Sequence, residues 1–465
     1  MEADDRPRRR LGRRLRLVCF PSSRFTRAVS GQMKVTIIGL NYSPEPTGIA
    51  VYTAGLSEAL TATGHPVTVI TGNPHYPQWR IYDGYGGHKR GDGREHEHER
   101  IRGVNVTRVP HGVPSKPRLW NRLGLELSFG IRAVFSKWDK PDVAVLVTPA
   151  LFSVGAAMLR ARLVHTKTCI WVQDIYSLGV SESGTGGHLA TWLLRGIERS
   201  ILRSANTVVV IHERFKRYLV EEMAIDADSV EVVRNWCHTG YPNGDRREEV
   251  RTTRGWKSDD IVVLHAGNMG AKQALENVVH ASKIAEQRGS KVRFVLLGDG
   301  NKRHQLEAMG VNRRLEFIDP LPEEAFQATL SAADILLVNE RPGLTEMCVP
   351  SKLTTYFNTG LPVIAATDEF SVTADELALA GGGIRINAAV PGDLVDAAEM
   401  LGRDAESSAA YGAAGRRFSA GFLSSDATIS RFRRILEQGA CDSGVERGRL
   451  ARPFLTGATD AVEPK

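Results

Sequence analysis

Short apolar, β-branched runs alternate with segments of helical period along most of the chain from residue 33 onward. Apolar residues that recur every three or four positions predict helices, and the clearest of these cover residues 49–63, 150–163 and 189–203. The continuous apolar runs predict strands at residues 35–40, 66–71, 142–148, 168–172, 207–211 and 230–233. Such alternation is typical of a parallel sheet whose strands are joined by crossover helices.

A second alternating series follows a polar connection at residues 235–256, which we interpret as a domain boundary. Its first helix is predicted at residues 272–288, and its strands at residues 261–266, 292–297, 314–318, 334–338, 362–365 and 383–386. The sequence therefore predicts an α/β protein of two successive Rossmann-like, doubly wound domains. These domains cover residues 33–236 and 237–415. They are followed by a C-terminal helix at 416–438, which we expect to pack back on the N-terminal domain, and by a loose tail at 439–465.

Two segments of the first half depart from this regular pattern. Residues 73–110 are rich in turns and aromatic residues, and they contain a run of charges at 88–100. The alternating His and Glu residues at 95–99 are more typical of a solvated loop than of a metal site, so we expect no metal. The helix predicted at residues 117–138 places Trp and Phe among basic residues. It can lie on an anionic membrane surface, but packing of its apolar face on the domain core is favoured.

Charge and composition narrow the class of protein. A chain of 465 residues with 42% hydrophobic and 24% charged residues is typical of a two-domain soluble protein. The net charge is +7, but residues 1–32 contain nine Arg and three acidic residues, so the rest of the chain carries only about +1. A nucleic-acid-binding face is therefore not expected. The five Cys are far apart and have no metal-ligand spacing, which fits a reduced, cytoplasmic setting.

The Arg-rich leader, residues 1–32, lacks the apolar segment of a secretory signal. No apolar run approaches the ~18 residues that a membrane-spanning helix requires. We expect either that Met33 is the functional start or that residues 1–32 form a disordered tail.

Three loops that follow predicted strands have the composition of ligand-binding loops. Residues 41–48 end in Gly48 at a helix start, without the spacing of a dinucleotide fingerprint. Residues 267–272 supply Asn268 and Lys272, which can hold a diphosphate. Residues 298–300 begin with Gly298 and predict a tight turn that passes near a ribose or base. Taken alone, the first loop is more typical of an ordinary turn and the second of a capped helix with a surface Lys.

The stretch at residues 339–366 predicts a strand, a loop with Pro and Gly, a short helix and another strand. Ser351 and Lys352 fall where the helix begins. Free backbone N–H groups and the positive end of the helix dipole favour a phosphate at such a position. An ordinary strand–loop–helix with a solvated Lys is the alternative.

Six stretches carry a family likeness: GLNYSPEPTGIAVYT at residues 39–53, NPHYPQW at 73–79, VQDI at 172–175, GNMGAKQ at 267–273, GDG at 298–300 and PSKLTTYFNTGLP at 350–362. Together they resemble glycosyltransferase family 4, the retaining GT-B enzymes, and most closely its bacterial exopolysaccharide branch of the colanic-acid type. The motifs occur in order over residues 33–437.

The resemblance implies a GT-B fold, in which the two domains face a cleft and the second domain holds most of a UDP- or GDP-linked sugar donor. Lys272 resembles the base that binds the diphosphate, and Ser351 with Lys352 resembles the loop that contacts phosphate. Gly48 resembles the glycine of the first-domain loop that closes over the donor. The pair Gln173 and Asp174 falls where many relatives have a His-Asp pair that contacts the transferring sugar.

Two positions depart from the family pattern. Gln173 stands in place of that His, whereas Asp174 is retained. Thr355 stands where the second Glu of the family's paired-Glu motif belongs, and Glu346 lies beside the position of the first. Glu346 or Glu340 can substitute as the anchor of the donor ribose. We interpret the loss of the pair as a trait of the branch rather than as inactivation.

The expected reaction is retaining sugar transfer without a metal or other cofactor. Asp174 orients the sugar, the Lys residues stabilise the leaving diphosphate, and the acceptor is a saccharide, most plausibly lipid-linked, at the inner membrane face. The protein is then cytoplasmic or peripherally bound. The alternatives are an inactive subunit that binds nucleotide sugar, and a GT-B sugar-nucleotide epimerase. Nucleic-acid binding through the Arg-rich leader is a remote further alternative.

Overall fold

The N-terminal half of the protein is built on an eight-stranded sheet with the strand order β3-β4-β2-β1-β5-β6-β7-β8. Its strands are β1 (Val35–Ile38), β2 (Val67–Gly72), β3 (His98–Ile101), β4 (Val104–Val109), β5 (Val143–Val147), β6 (Lys167–Val172), β7 (Thr207–Val210) and β8 (Val230–Val232). All neighbouring strands are parallel except the β3–β4 pair at the edge. The computed structural model describes residues 31–46, 48–86, 98–114, 119–183, 188–237, 246–310, 312–344 and 351–450, apart from the side chains of residues 119–120, 181–183 and 441–450.

The C-terminal half contains a six-stranded, fully parallel sheet with the strand order β11-β10-β9-β12-β13-β14. Its strands are β9 (Ile261–Ala266), β10 (Val292–Leu297), β11 (Leu315–Ile318), β12 (Ile335–Asn339), β13 (Val363–Ala366) and β14 (Gly383–Ile386). In this order the chain reverses its direction of travel between β9 and β12. This is the topological switch point of a Rossmann fold, where open α/β sheets bind ligands.

Helices cover both faces of the two sheets. In the N-terminal half they are α1 (Ile49–Ala62), α2 (Leu119–Phe135), α3 (Leu151–Leu163), α4 (Tyr176–Ser183), α5 (His188–Arg203) and α6 (Glu213–Arg217), followed by a π-helical turn (Tyr218–Glu222) and a 3₁₀ turn (Ala227–Ser229). The remaining helices are α7 (Arg247–Thr253), α8 (Glu276–Gln287), α9 (Arg303–Ala308), α10 (Glu323–Ala332), α11 (Lys352–Thr359), α12 (Val372–Ala380), α13 (Pro391–Arg403), α14 (Ala405–Phe422) and α15 (Ser425–Leu450). The prediction of two Rossmann-like domains is confirmed.

Burial on both faces explains why the strands are continuous apolar runs. Every residue of β1 and β5 is buried, and the same is true of β12 and β13. Parallel strands that are covered by helices on both sides have this composition. Each sheet thus separates two hydrophobic clusters, one under each layer of helices.

Several predictions about individual elements were wrong. Residues 73–110 contain β3 and β4, which complete one edge of the sheet despite their charged residues. The polar connection at 235–256 contains α7. Tertiary contacts stabilise this helix, since its Arg251 is buried and pairs with Asp334 at 3.2 Å. The loose tail predicted at 439–465 is helical as far as Leu450, since α15 continues through residues 439–450. The domain boundary at residues 236 and 237 stays a prediction.

The helix predicted to start at Lys272 begins instead at Glu276. The preceding residues form a turn in which Ala274 has a φ of 43°. The side-chain amide of Asn339 donates to the carbonyls of Gln273 at 2.7 Å and of Ala274 at 3.1 Å. These long-range hydrogen bonds stabilise the turn in place of a first helical turn.

The two halves contact each other through an ion-pair cluster and through the last helix. The imidazole of His212, after β7, lies 3.2 Å from the carboxylate of Glu376 on α12, and both side chains are buried. Arg234 contacts the same carboxylate at 3.2 Å. In addition, α15 returns to the N-terminal half, where the ring of Phe432 packs edge-on against Trp171 with centroids 4.9 Å apart.

Within the described part of the chain, no helix is both long enough and apolar enough to cross a membrane. Among the same residues, His, Cys, Asp and Glu side chains do not gather in groups of three or more that could hold a metal ion.

Candidate active site

The switch point of the C-terminal sheet brings a glycine loop under a lysine. The loop after β9 begins at Gly267, and the connection after β12 leads to Lys352, the first residue of α11. A Cβ atom on Gly267 would lie 3.3 Å from Cε and 3.8 Å from Nζ of Lys352. The lysine side chain therefore lies directly over this glycine, although 85 positions separate the two residues in the sequence.

A second glycine loop, after β10, packs against the first. Gly298 has a φ of 128°, and a Cβ atom there would collide with the carbonyl group of Gly267. At Gly300 a Cβ atom would lie 2.6 Å from Oδ1 of Asn268. Glycine at these positions allows the two loops to cross at close range, so that backbone groups and the exposed Asn268 face the same crevice.

Lys352 lies in a largely dehydrated environment. Its Nζ is 2.7 Å from Nε2 of the buried His265. Burial lowers the pKa of Lys352 to about 7, and the nearby carboxylate of Glu340 opposes this shift. The oxygens of Glu340 accept hydrogen bonds from the hydroxyls of Thr367 and Thr373, so this carboxylate is held within the C-terminal half.

Lys272 is exposed on the turn before α8. Its carbonyl accepts a hydrogen bond from the amide of Arg341 at 2.8 Å, which fixes the turn to the end of β12. The positive charge of Lys272 lowers the pKa of Asp174, which belongs to the opposite half. Lys272 therefore approaches the cleft from the C-terminal side, and its role as a diphosphate-binding base stays a prediction.

Asp174 follows β6 in the N-terminal half. The hydroxyl of Thr148 accepts a hydrogen bond from the amide of Gln173 and donates to the carbonyl of Asp174, both at 3.2 Å. Burial raises the pKa of Asp174 to about 6, whereas the charges of Lys272 and Arg122 act in the opposite direction. A carboxylate with this pKa changes its charge close to neutral pH and is surrounded by positive groups.

Gln173 is buried and paired with another amide. Its Nε2 donates to Oδ1 of Asn235 at 3.3 Å, and Nδ2 of Asn235 donates to Oε1 of Gln173 at 2.9 Å. This reciprocal pair fixes the orientation of both side chains. Gln173 therefore orders the turn next to Asp174, and an amide at this place does not transfer protons in the way an imidazole does.

Gly48 lies at the N-terminus of α1 with a φ of 65°. The buried Glu45 organises this loop, because its Oε1 accepts hydrogen bonds from the amides of His75 at 2.8 Å and Tyr76 at 2.9 Å, and its Oε2 accepts one from Asn41 at 2.9 Å. The loops after β1 and β2 are thus joined through one carboxylate. The N-terminal side of the cleft is held by these polar contacts.

The remaining predicted donor-binding residues lie on or before α11. Ser351 is exposed and lines a narrow crevice between the two halves together with Arg234, Asn235 and Glu376. Thr355 is 7% exposed and faces the interior of the C-terminal half, one turn after Ser351. Glu346 lies outside the described residues. The roles assigned to all three residues stay predictions.

Sequence reasoning missed His265 and gave Glu45 no role. A signal was present for His265, because it is the one polar side chain in the apolar strand β9, and a buried polar group needs a partner. Glu45 is flanked by prolines in a loop after a strand, which is a weaker signal. Its partners, 30 and 31 residues away, are visible only in the structure.

Comparisons with known proteins agree with this architecture. The model of a glycosyl transferase 4-like domain matches residues 47–236, and that of the glycosyl transferases group 1 matches residues 260–404. The putative colanic acid biosynthesis glycosyl transferase of Escherichia coli is 30% identical over 357 residues, which cover 73% of this chain and 84% of that protein. The chain belongs to the glycosyltransferase family that these two models describe.

A further relative and two solved structures have lower sequence identity to this glycosyltransferase. The GDP-mannose-dependent alpha-mannosyltransferase of Mycolicibacterium smegmatis is 24% identical, over 72% of this chain and 79% of that protein. Among solved structures, the sucrose-phosphate synthase of Thermosynechococcus elongatus aligns with a TM-score of 0.67 at 17% identity, over 88% of this chain and 99% of that one. Anabaena HepE in complex with UDP-glucose aligns with a TM-score of 0.62 at 14% identity, over 88% and 100%. These structures support the GT-B fold.

Proposed function

We propose that this glycosyltransferase moves a sugar, with retention, from a UDP- or GDP-linked donor to a saccharide acceptor in the synthesis of a cell-surface polysaccharide or glycolipid. The observation that carries the proposal is the meeting of Lys352, Lys272 and the Gly267 loop opposite Asp174. Positively charged side chains bind a diphosphate, and a glycine loop lets the diphosphate come close to backbone N–H groups. The carboxylate faces them from the half that would receive the acceptor.

In the proposed reaction the bond from the anomeric carbon to the diphosphate oxygen breaks. The acceptor oxygen forms its bond to the same face of that carbon, and the acceptor proton passes to the departing phosphate oxygen. Lys272 and Lys352 stabilise the negative charge that develops on the diphosphate. Asp174 orients the sugar between the halves. Holding acceptor and donor together lowers the entropic part of the activation free energy. Transfer proceeds without a metal.

The choice of donor is open to a direct experiment. The relatives support both nucleotides, since one is named as GDP-mannose-dependent and a structural neighbour holds UDP-glucose. Thermal unfolding of the purified protein with each UDP- and GDP-sugar identifies the donor as the ligand that raises the melting temperature with concentration.

Product analysis then tests the reaction itself. NMR of the glycoside formed from the identified donor must show the donor's anomeric configuration, and Lys352→Ala must lower the rate of transfer. A product of inverted configuration overturns the proposed mechanism. A protein that binds the donor but neither transfers nor hydrolyses it is an inactive subunit.

A lipid-linked acceptor is the finer part of the proposal, and three neighbouring helices support it. Helix α3 packs between α2 and α5: a Cβ atom on Gly130 would lie 2.8 Å from Cα of Ser153, and one on Gly155 would lie 3.0 Å from Cδ1 of Ile201. The outer sides of these helices form an apolar–arginine face. Its large exposed apolar side chains are Leu127, Ile131, Phe135, Leu159, Leu163, Leu189, Trp192, Leu193 and Ile197.

The charges of the apolar–arginine face all have one sign. The three helices contain seven arginines, whereas their acidic side chains are limited to Glu126 and Glu198, which are 6% and 2% exposed. Both acids are used internally, since Glu126 accepts from the amide of Phe152 and Glu198 from those at the start of α4. Arg195 is paired with the exposed Glu222 at 3.0 Å, but the face keeps an excess of arginine. An apolar surface with a net positive charge complements an anionic bilayer.

Sedimentation with vesicles tests this membrane contact. The protein is expected to bind vesicles that contain phosphatidylglycerol more strongly than vesicles of phosphatidylcholine alone, and Phe135→Glu and Trp192→Glu should weaken binding. Leu379→Glu is a matched control, because Leu379 is also exposed but lies on α12 of the other half. Equal binding by all variants overturns the assignment of this face.

A further inference from the structure

A buried histidine lies beneath the lysine of the donor site. His265 is fully buried near the end of β9, and its Nδ1 lies 3.2 Å from the carbonyl oxygen of Leu337 on β12. A carbonyl group can only accept a hydrogen bond, so Nδ1 carries the hydrogen. In the neutral imidazole, Nε2 is then an acceptor with a free lone pair.

Lys352 donates a hydrogen bond to that acceptor. Its Nζ lies 2.7 Å from Nε2 of His265, and its last carbon atom lies over Gly267. The ammonium group is thus held from below by the imidazole, with the glycine loop beside it. A lysine side chain loses rotamer freedom when it is immobilised, so fixing it before the donor arrives favours binding.

We propose that His265 is a positioning residue of the donor site, whose Nε2 lone pair holds the Lys352 ammonium group at the mouth of the Gly267 loop, where it meets the donor diphosphate. This inference rests on the proposed function of Lys352. It assigns His265 no contact with the donor and no role in proton transfer to the sugar.

The charges around Lys352 couple donor binding to proton uptake. His265 faces it from β9 and Glu340 from the end of β12, with Lys272 on the turn after β9 and Asp368 beside Glu340. Burial and the lysine charge hold the pKa of His265 well below its usual value, so the imidazole does not compete for the proton. With a pKa of about 7, Lys352 is partly neutral above that pH in the empty site. A diphosphate brings negative charge that restores its proton.

Two substitutions of His265 separate positioning from packing. In His265→Asn, the side-chain amide stands near Nδ1 and can still donate to Leu337, but no acceptor remains for Lys352. In His265→Gln, the amide oxygen reaches the position of Nε2 and keeps that acceptor. We expect His265→Asn to raise the donor KM by about 10-fold or more, the range of one hydrogen bond to a charged group, and His265→Gln to stay much closer to the parent protein.

Calorimetry of donor binding supplies the second readout. In buffers of different ionisation enthalpy, the parent protein should take up most of one proton per donor at pH 8 and much less at pH 6. Lys352→Met should abolish this uptake, and it leaves His265 and the strand unchanged, so it does not depend on how well the His265 variants fold. Lys352→Met and His265→Asn should also be non-additive in donor affinity.

The outcomes distinguish the two proposals. A parent protein that neither binds nor turns over any nucleotide sugar overturns the proposed function, and the inference with it. The inference alone is overturned if the parent protein is active but His265→Asn and His265→Gln have the same donor KM, whether unchanged or raised in both. The same holds if proton uptake persists in Lys352→Met.

Discussion

The two halves of the glycosyltransferase share a doubly wound topology but present opposite chemistry to the cleft. At the strand ends of the C-terminal half are Lys272, Lys352 and the glycine loops, whereas the N-terminal half presents Asp174 beside aromatic residues and a loop held by Glu45. The shared topology fixes where a ligand binds, at the strand ends. The side chains placed there differ, so the C-terminal half presents two lysines, whereas the N-terminal half presents a carboxylate near Arg122.

Removing a cation from the C-terminal side should have the largest effect. Lys272→Met is expected to lower kcat/KM for transfer by about 10³-fold, because the diphosphate loses a positive charge in the transition state. It should also move the acid limb of the pH–rate profile to higher pH, since Lys272 lowers the pKa of Asp174. Lys291→Met is the control, because Lys291 precedes β10 and so lies at the opposite end of the strands from the cleft. An unchanged acid limb in Lys272→Met would contradict the pairing of the two halves.

Removing the carboxylate from the N-terminal side should cost less. Asp174→Asn is expected to lower kcat by about 10²-fold while the donor KM changes little, since the diphosphate contacts lie in the other half. In the parent protein activity should rise with pH through about 6 as Asp174 ionises, and the variant should lose this rise.

The same substitution affects stability with a definite sign. The folded-state pKa of Asp174 lies above its unfolded value of 3.8, so ionisation disfavours the folded state above pH about 6 and has no effect below pH about 3. Asp174→Asn should therefore be at least as stable as the parent at pH 8. A variant that unfolds more easily at pH 8 than at pH 4, relative to the parent, would contradict this assignment.

A buried histidine makes the N-terminal half sensitive to acid. Burial lowers the pKa of His111 to about 4, and its Nδ1 accepts a hydrogen bond from the amide of Asn73. The unfolded chain binds a proton below pH 6.5 while the folded state does not, so stability is lost as pH falls from about 6.5 toward 4. Between pH 7 and pH 5 this loss is about 2 kcal/mol. In His111→Asn, the amide oxygen can replace Nδ1 but does not titrate. The difference in free energy of unfolding between pH 7 and pH 5, measured by denaturant titration, should therefore be smaller than in the parent protein by this amount.

The smallest effect is expected at the loop that joins β1 and β2 to the cleft. Glu45→Gln keeps an oxygen for the amides of His75 and Tyr76 but turns an NH₂ group toward the side-chain amide of Asn41. The loss of one hydrogen bond should reduce the free energy of unfolding by about 1 kcal/mol and leave kcat nearly unchanged. Glu58→Gln is a control for the charge alone, because Glu58 pairs with the exposed Arg102. Equal effects of the two substitutions would show that the loop does not depend on Glu45.

Strands and loops of the C-terminal half could be predicted from the sequence with little error. The strands β9 and β10 occupy the residues predicted for them, because a strand buried on both faces leaves a largely apolar run. The edge strand β14 also occupies its predicted residues, although it is only partly buried. The strand β4 was missed because it combines apolar residues with Arg108, whose guanidinium group is buried and satisfied by Glu99 and by the carbonyl groups of Gly72 and Ser43. Local composition does not reveal a charge that is neutralised by distant partners.

The candidate site shows the same limit. Gly267, Lys272, Gly298 and Lys352 could be selected because each follows a strand, and the strand ends of one sheet share an edge. The contact between His265 and Lys352 could not, since 87 residues separate them and nothing near either residue specifies the pairing. The cleft-spanning relation of Asp174 to Lys272 likewise depends on how the two sheets meet. That arrangement follows from packing and not from local pattern.

The return of α15 to the N-terminal half makes the two domains interdependent in biosynthesis. Phe432, Ile435 and Leu436 pack in the same hydrophobic cluster as Trp171 and Trp236, which precede the whole C-terminal half in the sequence. A ribosome delivers residues in order, so the core of the first domain stays open while the second is being made, although domains generally fold as units from the N-terminus. The first domain is thus completed by α15, and an expressed fragment that stops before Ser425 would leave both tryptophans without their cover.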